Sequence, residues 1–337
     1  MNRIVPKVVL LLLASVLSCT ASAQRFAREG ILAGAADPTI VAVENKQGQT
    51  EYYVVATGRG VRLYKSTDLK KWKYLGRVFE NNVPEWARRA VPGSNGIWAP
   101  DLSYHNGLYY MYYSVSTFGS QRSVIGLAVN KAIDPESPDY KWEDRGLVIE
   151  SSPETTNFNA IDPALLVDEQ GRWLLYWGSF WTGLKVVEVD PATGKPKPDA
   201  EIQPIAARPN HPAHAIEAAY VIFHDGYYYL FVSWDSCCDG ADSTYRVLVG
   251  RSREATGPFV DADGKPMLEG GGTLVIESSE RWRGPGHNCV LTTDEGQWMV
   301  HHTYDMQNLR AQRILQIRPM TWTEQGWPKV GEPVATP

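Results

Sequence analysis

The hydrophobic pattern of this chain consists of short apolar runs that recur in pairs, each pair joined by a tight turn. The runs are rich in aromatic and β-branched residues, for example "EYYVVATG", "GLYYMYYSVS" and "GYYYLFVSW", and Gly, Asp, Asn and Pro bound them. Amphipathic helical periodicity is nearly absent. This pattern is typical of short strands joined by turns and predicts an all-β chain.

The paired runs belong to five repeats with similar openings. These openings are "AADPTIVAV", "WAPDLSYH", "AIDPALLVD", "AIEAAYVIF" and "GPGHNCVLT". Most repeats continue with a third run such as "SVIGLAVNK" and an outer segment such as "KWEDRGLVIE", which gives four strands each. Self-similarity at roughly 50 to 70 residues indicates a repeat architecture. Four-stranded units arranged around an axis predict a five-bladed β-propeller over residues from about 37 to 330, with no room for a second domain.

Each repeat places a polar residue at the head of its innermost strand. The five residues are Asp37, Asp101, Asp162, Glu217 and His287. Because innermost strands line the axis of a propeller, we expect these side chains to form a ring at one end of it. Carboxylates that converge in a semi-buried pocket raise one another's pKa, so such a ring indicates function. The alternative, that each acid caps a turn by accepting backbone N–H groups, stays open, above all for Asp101.

Spaced carboxylates in an aromatic, weakly charged pocket suit glycoside hydrolysis, in which one acid protonates the leaving oxygen and another carboxylate activates water or attacks the sugar. The 12 Trp and 17 Tyr residues fit sugar faces, although aromatic residues also fill sheet cores. A catalytic metal site is the rival chemistry, but a lone His287 is a weak signature for it. The net charge of −5 and the lack of a basic stripe exclude a nucleic-acid partner.

The first residues have the form of an export signal. Arg3 and Lys7 precede the apolar run "VVLLLLASVL", and "ASA" at 21–23 resembles a cleavage site, which predicts a signal peptide over 1–23 and a catalytic domain over 24–337. No later stretch approaches the roughly 20 apolar residues of a membrane span, so we expect a secreted or periplasmic protein. Cys19 is an alternative site of lipid attachment. The adjacent Cys237 and Cys238 form either a disulfide or a reduced pair.

Several long strings in the chain resemble one family. They are "IWAPDLSYHNGLYYMYYSVSTFGSQRSVIGLA", "FNAIDPALL", "YWGSFWTGLK", "AIEAAY", "YYYLFVSWDSCCDG" and "GPGHN". These strings are similar to those of the endo-1,5-α-L-arabinanases of glycoside hydrolase family 43, which are five-bladed β-propellers that cleave arabinan with inversion. The resemblance runs from about Asp37 to Pro328. It implies arabinan or arabino-oligosaccharides as the partner.

The resemblance also implies roles for individual residues. It makes Asp37 the general base, Glu217 the general acid and Asp162 the carboxylate that orients the acid and tunes its pKa. It implies sugar contacts from Asp37, Gly119, Asn159, Ala160, Ile161, Asp162, Ser179, Phe180 and Trp181. His287 matches an axial histidine that lies beside a hydrated calcium or similar ion. Two alternatives stay open: Phe180 and Trp181 as ordinary blade packing, and His287 as a core histidine without metal.

Two departures from the family pattern concern the base side of the pocket. Ala36 stands where a histidine usually precedes the base, and Cys289 stands where "GPGHNS" is usual. Neither departure touches the three acids, so we expect activity to be retained.

Endo action is expected because the chain ends at Pro337, soon after the fifth blade, leaving an open groove. The aromatic residues Phe118, Phe180, Trp181 and Trp234 are candidates for stacking sugars along that groove, and the alternative for Trp234, as for Trp98, is a place in the core of a blade. The alternatives are an exo-acting arabinofuranosidase or β-xylosidase of the same fold, and a non-catalytic sugar-binding propeller. The complete set of three acids argues against the last.

Overall fold

The computed structural model describes residues 32–308 and 312–335. The predicted signal peptide and Cys19 lie outside these residues, and the boundary at 23/24 therefore stays a prediction. Within the described ranges, no helix combines the length and the apolar character needed to cross a membrane.

Five antiparallel sheets follow one another along the chain, and this confirms the predicted five-bladed β-propeller. Blade 1 contains β1 Thr39–Glu44, β2 Thr50–Ala56, β3 Arg62–Ser66 and β4 Lys73–Arg77; blade 2 contains β5 Trp98–His105, β6 Leu108–Val115, β7 Ser123–Asn130 and β8 Glu143–Ser151. Blade 3 contains β9 Ala164–Val167, β10 Trp173–Trp177, β11 Leu184–Asp190, β12 Lys195–Pro196 and β13 Gln203–Ala206. Blade 4 contains β14 Ile216–His224, β15 Tyr227–Trp234, β16 Arg246–Ser252 and β17 Thr273–Ile276; blade 5 contains β18 Trp282–Thr293, β19 Gly296–Asp305, β20 Ile314–Trp322 and β21 Pro328–Val330.

Blade 3 differs from the predicted four strands because its outer strand is divided. β12 pairs with the end of β11 at Val189 and Asp190, whereas β13 pairs with its start at Leu184 to Val186. Helical structure in the described residues is confined to α1, Glu85–Ala90, and two 3₁₀ turns, Gly240–Asp242 and Met267–Glu269. The near absence of helical periodicity in the sequence predicted this.

The apolar residues of the strands pack in five interfaces between blades. Successive residues of a strand face opposite sides of the sheet, so Val54 packs toward blade 5 while Val55 packs toward blade 2. The second strands β6, β10 and β15 are therefore buried on both faces, which is why they read as continuous apolar runs.

The interface between blades 5 and 1 closes the ring. Val54 shares its core with Val300 of β19 and Leu315 of β20. The segment that precedes β1 adds to this closure, because the N–H of Gly34 donates to the carbonyl of Arg313 at 2.9 Å and Leu32 accepts from the N–H of Leu315 at 3.0 Å.

Candidate active site

One residue near the head of each innermost strand has the left-handed backbone conformation. The φ angles are 50° at Asp37, 44° at Ala99, 59° at Asp162, 56° at Ala218 and 50° at His287. Non-glycine residues adopt such angles rarely and at an energetic cost, so a shared left-handed position indicates that the surrounding structure imposes it. These five positions therefore define the structural register of the repeats.

That register corrects the predicted ring at two blades. In blade 4 the left-handed residue is Ala218, and Glu217 directly precedes it. Asp101 lies two residues beyond Ala99, inside β5, and the prediction that it belongs to the ring is wrong. Its buried carboxylate accepts a hydrogen bond from the N–H of Leu165 in blade 3 at 2.8 Å, which is the capping alternative. Burial raises the pKa of Asp101 to about 7, and the Leu165 bond opposes that rise. Asp101 thus links two blades below the pocket.

At each of these five left-handed residues, the backbone N–H donates to a side chain of the preceding blade, and blade 5 precedes blade 1 around the ring. The acceptors are Nδ1 of His302 for Asp37 (3.1 Å), Oγ1 of Thr57 for Ala99 (2.8 Å), Oγ of Ser114 for Asp162 (2.9 Å), Oδ2 of Asp162 for Ala218 (3.2 Å) and Oγ of Ser233 for His287 (2.9 Å). These bonds form a closed circle around the axis. The fold itself therefore fixes the backbone at the head of each innermost strand.

Blade 3 contributes a carboxylate to this circle, whereas each of the other four blades contributes a hydroxyl or an imidazole at or near the end of its second strand. Its second strand ends at Trp177, and the next residue is Gly178, which has no side chain to accept a bond. A Cβ at Gly178 would lie 2.8 Å from the carbonyl oxygen of Gly183, so a larger residue does not fit. Asp162 supplies the missing acceptor and thereby contacts the residue that follows Glu217.

Asp37 lies among groups that favour its ionised form. Its Oδ2 accepts a hydrogen bond from Oγ1 of Thr57 at 2.5 Å. Its Oδ1 lies 3.3 Å from Nδ1 of His302, 3.5 Å from Nδ1 of His287 and 3.8 Å from Nη1 of Arg313. Burial alone would raise the pKa of Asp37, but His287, Arg313 and His302 together hold the pKa well below its usual range. Asp37 is therefore a carboxylate at neutral pH.

Glu217 is held by two hydroxyl groups, one on each carboxyl oxygen. Oε1 accepts from the hydroxyl of Tyr245 at 2.7 Å, and Oε2 accepts from Oγ of Ser179 at 2.7 Å. Burial, together with the charges of Glu217 and Asp162, raises the pKa of Tyr245 well above its usual value, so the phenol keeps its proton and stays a donor. Two bonds of this length fix the orientation of the Glu217 carboxyl group.

Asp162 has the opposite electrostatic environment to Asp37. Burial raises its pKa, and the charges of Glu217 and Asp37 raise it well above the usual range. Asp162 therefore favours its protonated form, whereas Asp37 favours its ionised form. The pocket thus combines two carboxyl groups whose surroundings have opposite electrostatic effects. Opposed environments of this kind are how one site supplies both an acid and a base.

The residues predicted to contact sugar lie on three loops around the acids. Asn159, Ala160 and Ile161 are buried directly before Asp162, and Asn159 accepts a hydrogen bond from Ser123 at 2.7 Å. The loop with Gly119 is tied to this segment, because Gln121 donates to the carbonyl of Phe158 at 3.1 Å.

The remaining predicted contacts differ in exposure. Phe118 is 83% exposed, and the space around the Cα of Gly119 is open. Phe180 and Trp181 are half-buried beside Ser179, whose hydroxyl is already bonded to Glu217. One face of Trp234 is covered by the Arg208 guanidinium at 4.1 Å.

The predicted metal residue, His287, lies beside Asp37 without further ligating side chains. No group of three or more His, Cys, Asp or Glu side chains that could hold a metal occurs within residues 32–308 and 312–335. The protein donors close to this position are thus the His287 imidazole and the Asp37 carboxylate, whose Oδ1 lies 3.5 Å from Nδ1. A hard cation such as calcium prefers several oxygen ligands, so this donor set suits only an ion that keeps most of its water.

Several residues of the site were not predicted from the sequence. Tyr245 and Arg313 directly precede third strands, where no repeated string marks them. Four other residues did carry a signal, because each is a polar residue at or near the end of the second apolar run of its repeat: Thr57, Ser114, Ser233 and His302. The adjacent cysteines, Cys237 and Cys238, form a disulfide.

A β-propeller whose axial pocket holds three carboxyl groups, of which Asp37 has a lowered pKa and Asp162 a raised one, is typical of the glycoside hydrolases. The comparison with known families agrees. The sequence profile described as "Glycosyl hydrolases family 43" matches residues 28–328. The chain belongs to this family, as the sequence resemblance predicted.

Three similar proteins have names that describe arabinanases or arabinofuranosidases. The chain is 42% identical over 299 residues to the extracellular exo-alpha-(1->5)-L-arabinofuranosidase ArbA of Cellvibrio japonicus (strain Ueda107), covering 86% of this chain and 85% of that protein. It is 41% identical over 296 residues to the extracellular endo-alpha-(1->5)-L-arabinanase 1 of Bacillus subtilis (strain 168), covering 87% and 86%. The structure of Cellvibrio cellulosa alpha-L-arabinanase complexed with arabinohexaose superimposes with a TM-score of 0.83 at 39% identity, covering 89% of this chain and 96% of that chain.

Proposed function

We propose that this protein hydrolyses internal α-1,5-L-arabinofuranosidic linkages of arabinan with inversion of configuration. The observation that carries the proposal is the electrostatic contrast in the pocket. Asp37 has its pKa held well below the usual range, whereas burial and neighbouring charge raise the pKa of Asp162, the partner of Glu217. An inverting hydrolase needs one carboxylate and one protonated acid at the same pH.

In the proposed reaction, Asp37 accepts a proton from a water molecule as its oxygen attacks the anomeric carbon. Glu217 donates its proton to the glycosidic oxygen as the bond to that carbon breaks, so the leaving sugar departs as a neutral alcohol. Asp37 gains one proton and Glu217 loses one. The hydroxyl adds to the anomeric carbon on the face opposite the departing sugar, which inverts the configuration.

Asp162 acts on Glu217 through position and charge. Its Oδ2 accepts the N–H of Ala218 at 3.2 Å, which fixes the backbone next to the acid, and the charge of Glu217 in turn raises the pKa of Asp162. Ser179 and Tyr245 hold the two oxygens of Glu217 in place. The acid is therefore oriented before substrate binds, which lowers the cost of reaching the transition state.

Arabinan as the substrate is supported by the printed names of the relatives and by the arabinohexaose complex of the Cellvibrio arabinanase. Phe118, Phe180 and Trp181 are the aromatic side chains proposed to contact sugar rings, and Gly119 with Asn159, Ala160 and Ile161 the backbone and amide contacts. Exo action on the same linkage is the second candidate, because ArbA of Cellvibrio japonicus and the 43% identical bovine ruminal structure, with a TM-score of 0.84 and coverage of 90% and 99%, are both named exo-acting.

His287 is proposed to hold a hydrated calcium or similar cation. Its Nδ1 lies 3.5 Å from Oδ1 of Asp37, and a histidine that binds metal through one ring nitrogen usually directs the other to a carboxylate or carbonyl. A bound cation would add positive charge beside the base. Prolonged chelation is expected to lower the melting temperature or the rate, and addition of calcium to restore it. Unchanged values, with no metal found by elemental analysis, would leave His287 a structural histidine.

Export is proposed on the basis of residues 1–23 and is supported by two relatives whose names describe them as extracellular. The mature chain would then meet arabinan outside the cytoplasm. Attachment of lipid at Cys19 is the alternative, and mass spectrometry of the protein from the native membrane and medium fractions distinguishes the two.

Incubation with linear arabinan and, separately, with xylan tests the proposed function. Early release of mixed arabino-oligosaccharides with a rapid fall in viscosity is expected from endo action. Release of one small sugar from the outset, with viscosity almost unchanged, would identify the exo candidate. Binding without any product, or hydrolysis of xylan alone, would contradict the proposal.

A further inference from the structure

Lys185 is a buried lysine on β11, directly after the loop 178–183. Only 6% of its surface is exposed, and its Nζ donates to the carbonyl oxygen of Thr182 at 2.7 Å. No carboxylate in the described part of the chain forms an ion pair with it. Burial of a charge without a counter-charge costs free energy, which the bond to Thr182 offsets only in part.

The loop that Lys185 closes is under backbone strain. Phe180 and Trp181 are consecutive residues with φ of 52° and 39°, an arrangement that costs energy at each residue. At the end of the loop, Gly183 has φ of 77°, and a Cβ there would lie 2.2 Å from the carbonyl oxygen of Ala206. Only glycine therefore fits at the end of this loop, and the bond from Lys185 contacts it one residue earlier, at Thr182.

The same loop contacts the chain segments that carry two of the acids. The N–H of Gly178 donates to the carbonyl of Ile161 at 2.9 Å, and the N–H of Phe180 donates to the carbonyl of Ile216 at 2.8 Å. Between these two bonds, Ser179 donates to Glu217. A shift of the loop would therefore move a ligand of Glu217 as well as the two aromatic rings.

We propose that Lys185 is a positioning residue whose ammonium group, through the carbonyl of Thr182, holds the loop 178–183 in the conformation that presents Ser179 to Glu217 and the Phe180 and Trp181 rings to the sugar. The sugar-binding part of this inference rests on the proposed function. The loop-holding part stands on the contacts alone. Lys185 acts through the loop and takes no part in proton transfer.

The hold of Lys185 on the loop depends on its charge, because an ammonium N–H donates a stronger hydrogen bond than a neutral amine. Burial lowers the pKa of Lys185 to about 8. Its cross-strand neighbours, Trp177 on β10 and Pro204 on β13, do not titrate in this range, and neither does Thr182. The loop is thus held most firmly below pH 8 and more weakly above it.

Amide hydrogen exchange of the peptide covering 178–184, measured without sugar at pH 7, tests the loop-holding part directly. Lys185→Met is expected to speed exchange about tenfold, the effect of losing one charge-assisted hydrogen bond. Lys185→Arg keeps a permanent charge and is expected to restore much of the protection. Lys195→Met, which removes a more exposed lysine of the same blade, is the matched control. If Lys185→Met reduces the yield of folded protein, Lys185→Gln provides the same comparison.

Binding of linear arabino-oligosaccharide to these variants in a Glu217→Gln background tests the sugar-binding part. Affinity is expected to fall about tenfold with Lys185→Met, as expected for a weakened loop. It is also expected to fall between pH 7 and pH 9 with Lys185 present, and to stay level over that range with Lys185→Arg.

Exchange and affinity that are unchanged in Lys185→Met would overturn the inference. A change in exchange with no oligosaccharide binding to any variant, Glu217→Gln itself included, would instead support the loop-holding role and contradict the proposed arabinan ligand. The two failures are therefore distinguishable.

Discussion

At the scale of single residues, three acids share one pocket and differ in their surroundings. Thr57, His287, His302 and Arg313 surround Asp37, whereas hydroxyl groups hold Glu217. The difference is one of neighbours, because burial acts on Asp37 and Asp162 in the same direction. Burial raises the pKa of both carboxyl groups, and only at Asp37 do neighbouring basic side chains outweigh that rise.

Substitution of the proposed base or acid is expected to abolish most activity while the protein stays folded. Asp37→Asn and Glu217→Gln should each lower kcat on linear arabinan by roughly 10²–10⁴-fold, since each removes one proton-transfer step. Asp101→Asn is the matched control, because Asp101 is an axial carboxylate outside the circle of left-handed residues. A residual rate above about a tenth of wild type in either acid variant would show that its role is misassigned.

The same Asp101 provides a prediction on pH and stability. Its pKa is about 7 in the fold, above the ordinary value of 3.8, so the unfolded chain releases the proton first as pH rises. Ionisation of the unfolded state then lowers the free energy of unfolding between about pH 4 and pH 7, and the loss stays constant above that range. Asp101→Asn removes this loss. We expect the free energy of unfolding of the variant to exceed that of wild type by roughly 1–4 kcal/mol at pH 8. Near pH 4 the two values should match. Urea denaturation at both pH values measures them. Equal stability at pH 8 would contradict the raised pKa.

At the scale of elements, the circle of hydrogen bonds from left-handed residues to the neighbouring blade determines where the acids lie. Ser114 of β6 holds the N–H of Asp162, and Ser233 of β15 holds the N–H of His287. Both serines are fully buried, so no water replaces the lost bond easily. The acids are therefore placed by bonds between blades more than by bonds within one.

Removal of one hydroxyl from this circle is expected to destabilise the protein, because it leaves a buried backbone N–H without an acceptor. Ser114→Ala and Ser233→Ala should each lower the free energy of unfolding by roughly 1–3 kcal/mol. Ser114→Ala should in addition lower kcat, because Asp162 contacts the backbone beside Glu217. Chemical denaturation together with assays at saturating arabinan measures both effects. If Ser114→Ala lost stability but kept its full kcat, Asp162 would not need this bond for its role.

The strands were predictable from the sequence because burial on both faces produces apolar runs that turn residues interrupt. Asp37 and Asp162 were also predictable, since both occur in an Asp-Pro pair at the head of a repeat. The error at Asp101 has a physical reason. The left-handed position in blade 2 is filled by Ala99, which has no side-chain chemistry to mark it, so the next acid in the string was aligned instead. Tyr245 and Arg313 were not predictable, because the loops beside their strands decide which way their side chains extend.

At the scale of the whole molecule, five blades packed in a closed ring place side chains from separate repeats at one end of the axis. Asp37 comes from blade 1, Asp162 from blade 3 and Glu217 from blade 4, and each blade is held by its neighbours on both sides. No single blade contains the pocket. The proposed chemistry therefore depends on closure of the ring, to which the core between blades 5 and 1 and the segment at residues 32–34 contribute.

In the proposed mechanism, Asp37 activates water on the face of the sugar opposite Glu217. Proton NMR of the first reducing ends released from linear arabinan tests this mechanism, with spectra recorded before the anomers equilibrate. The account predicts that the new reducing ends appear first in the β configuration, because a single displacement inverts the α linkage. First appearance of the α anomer would require a covalent intermediate on a carboxylate and would contradict the roles assigned to Asp37 and Glu217.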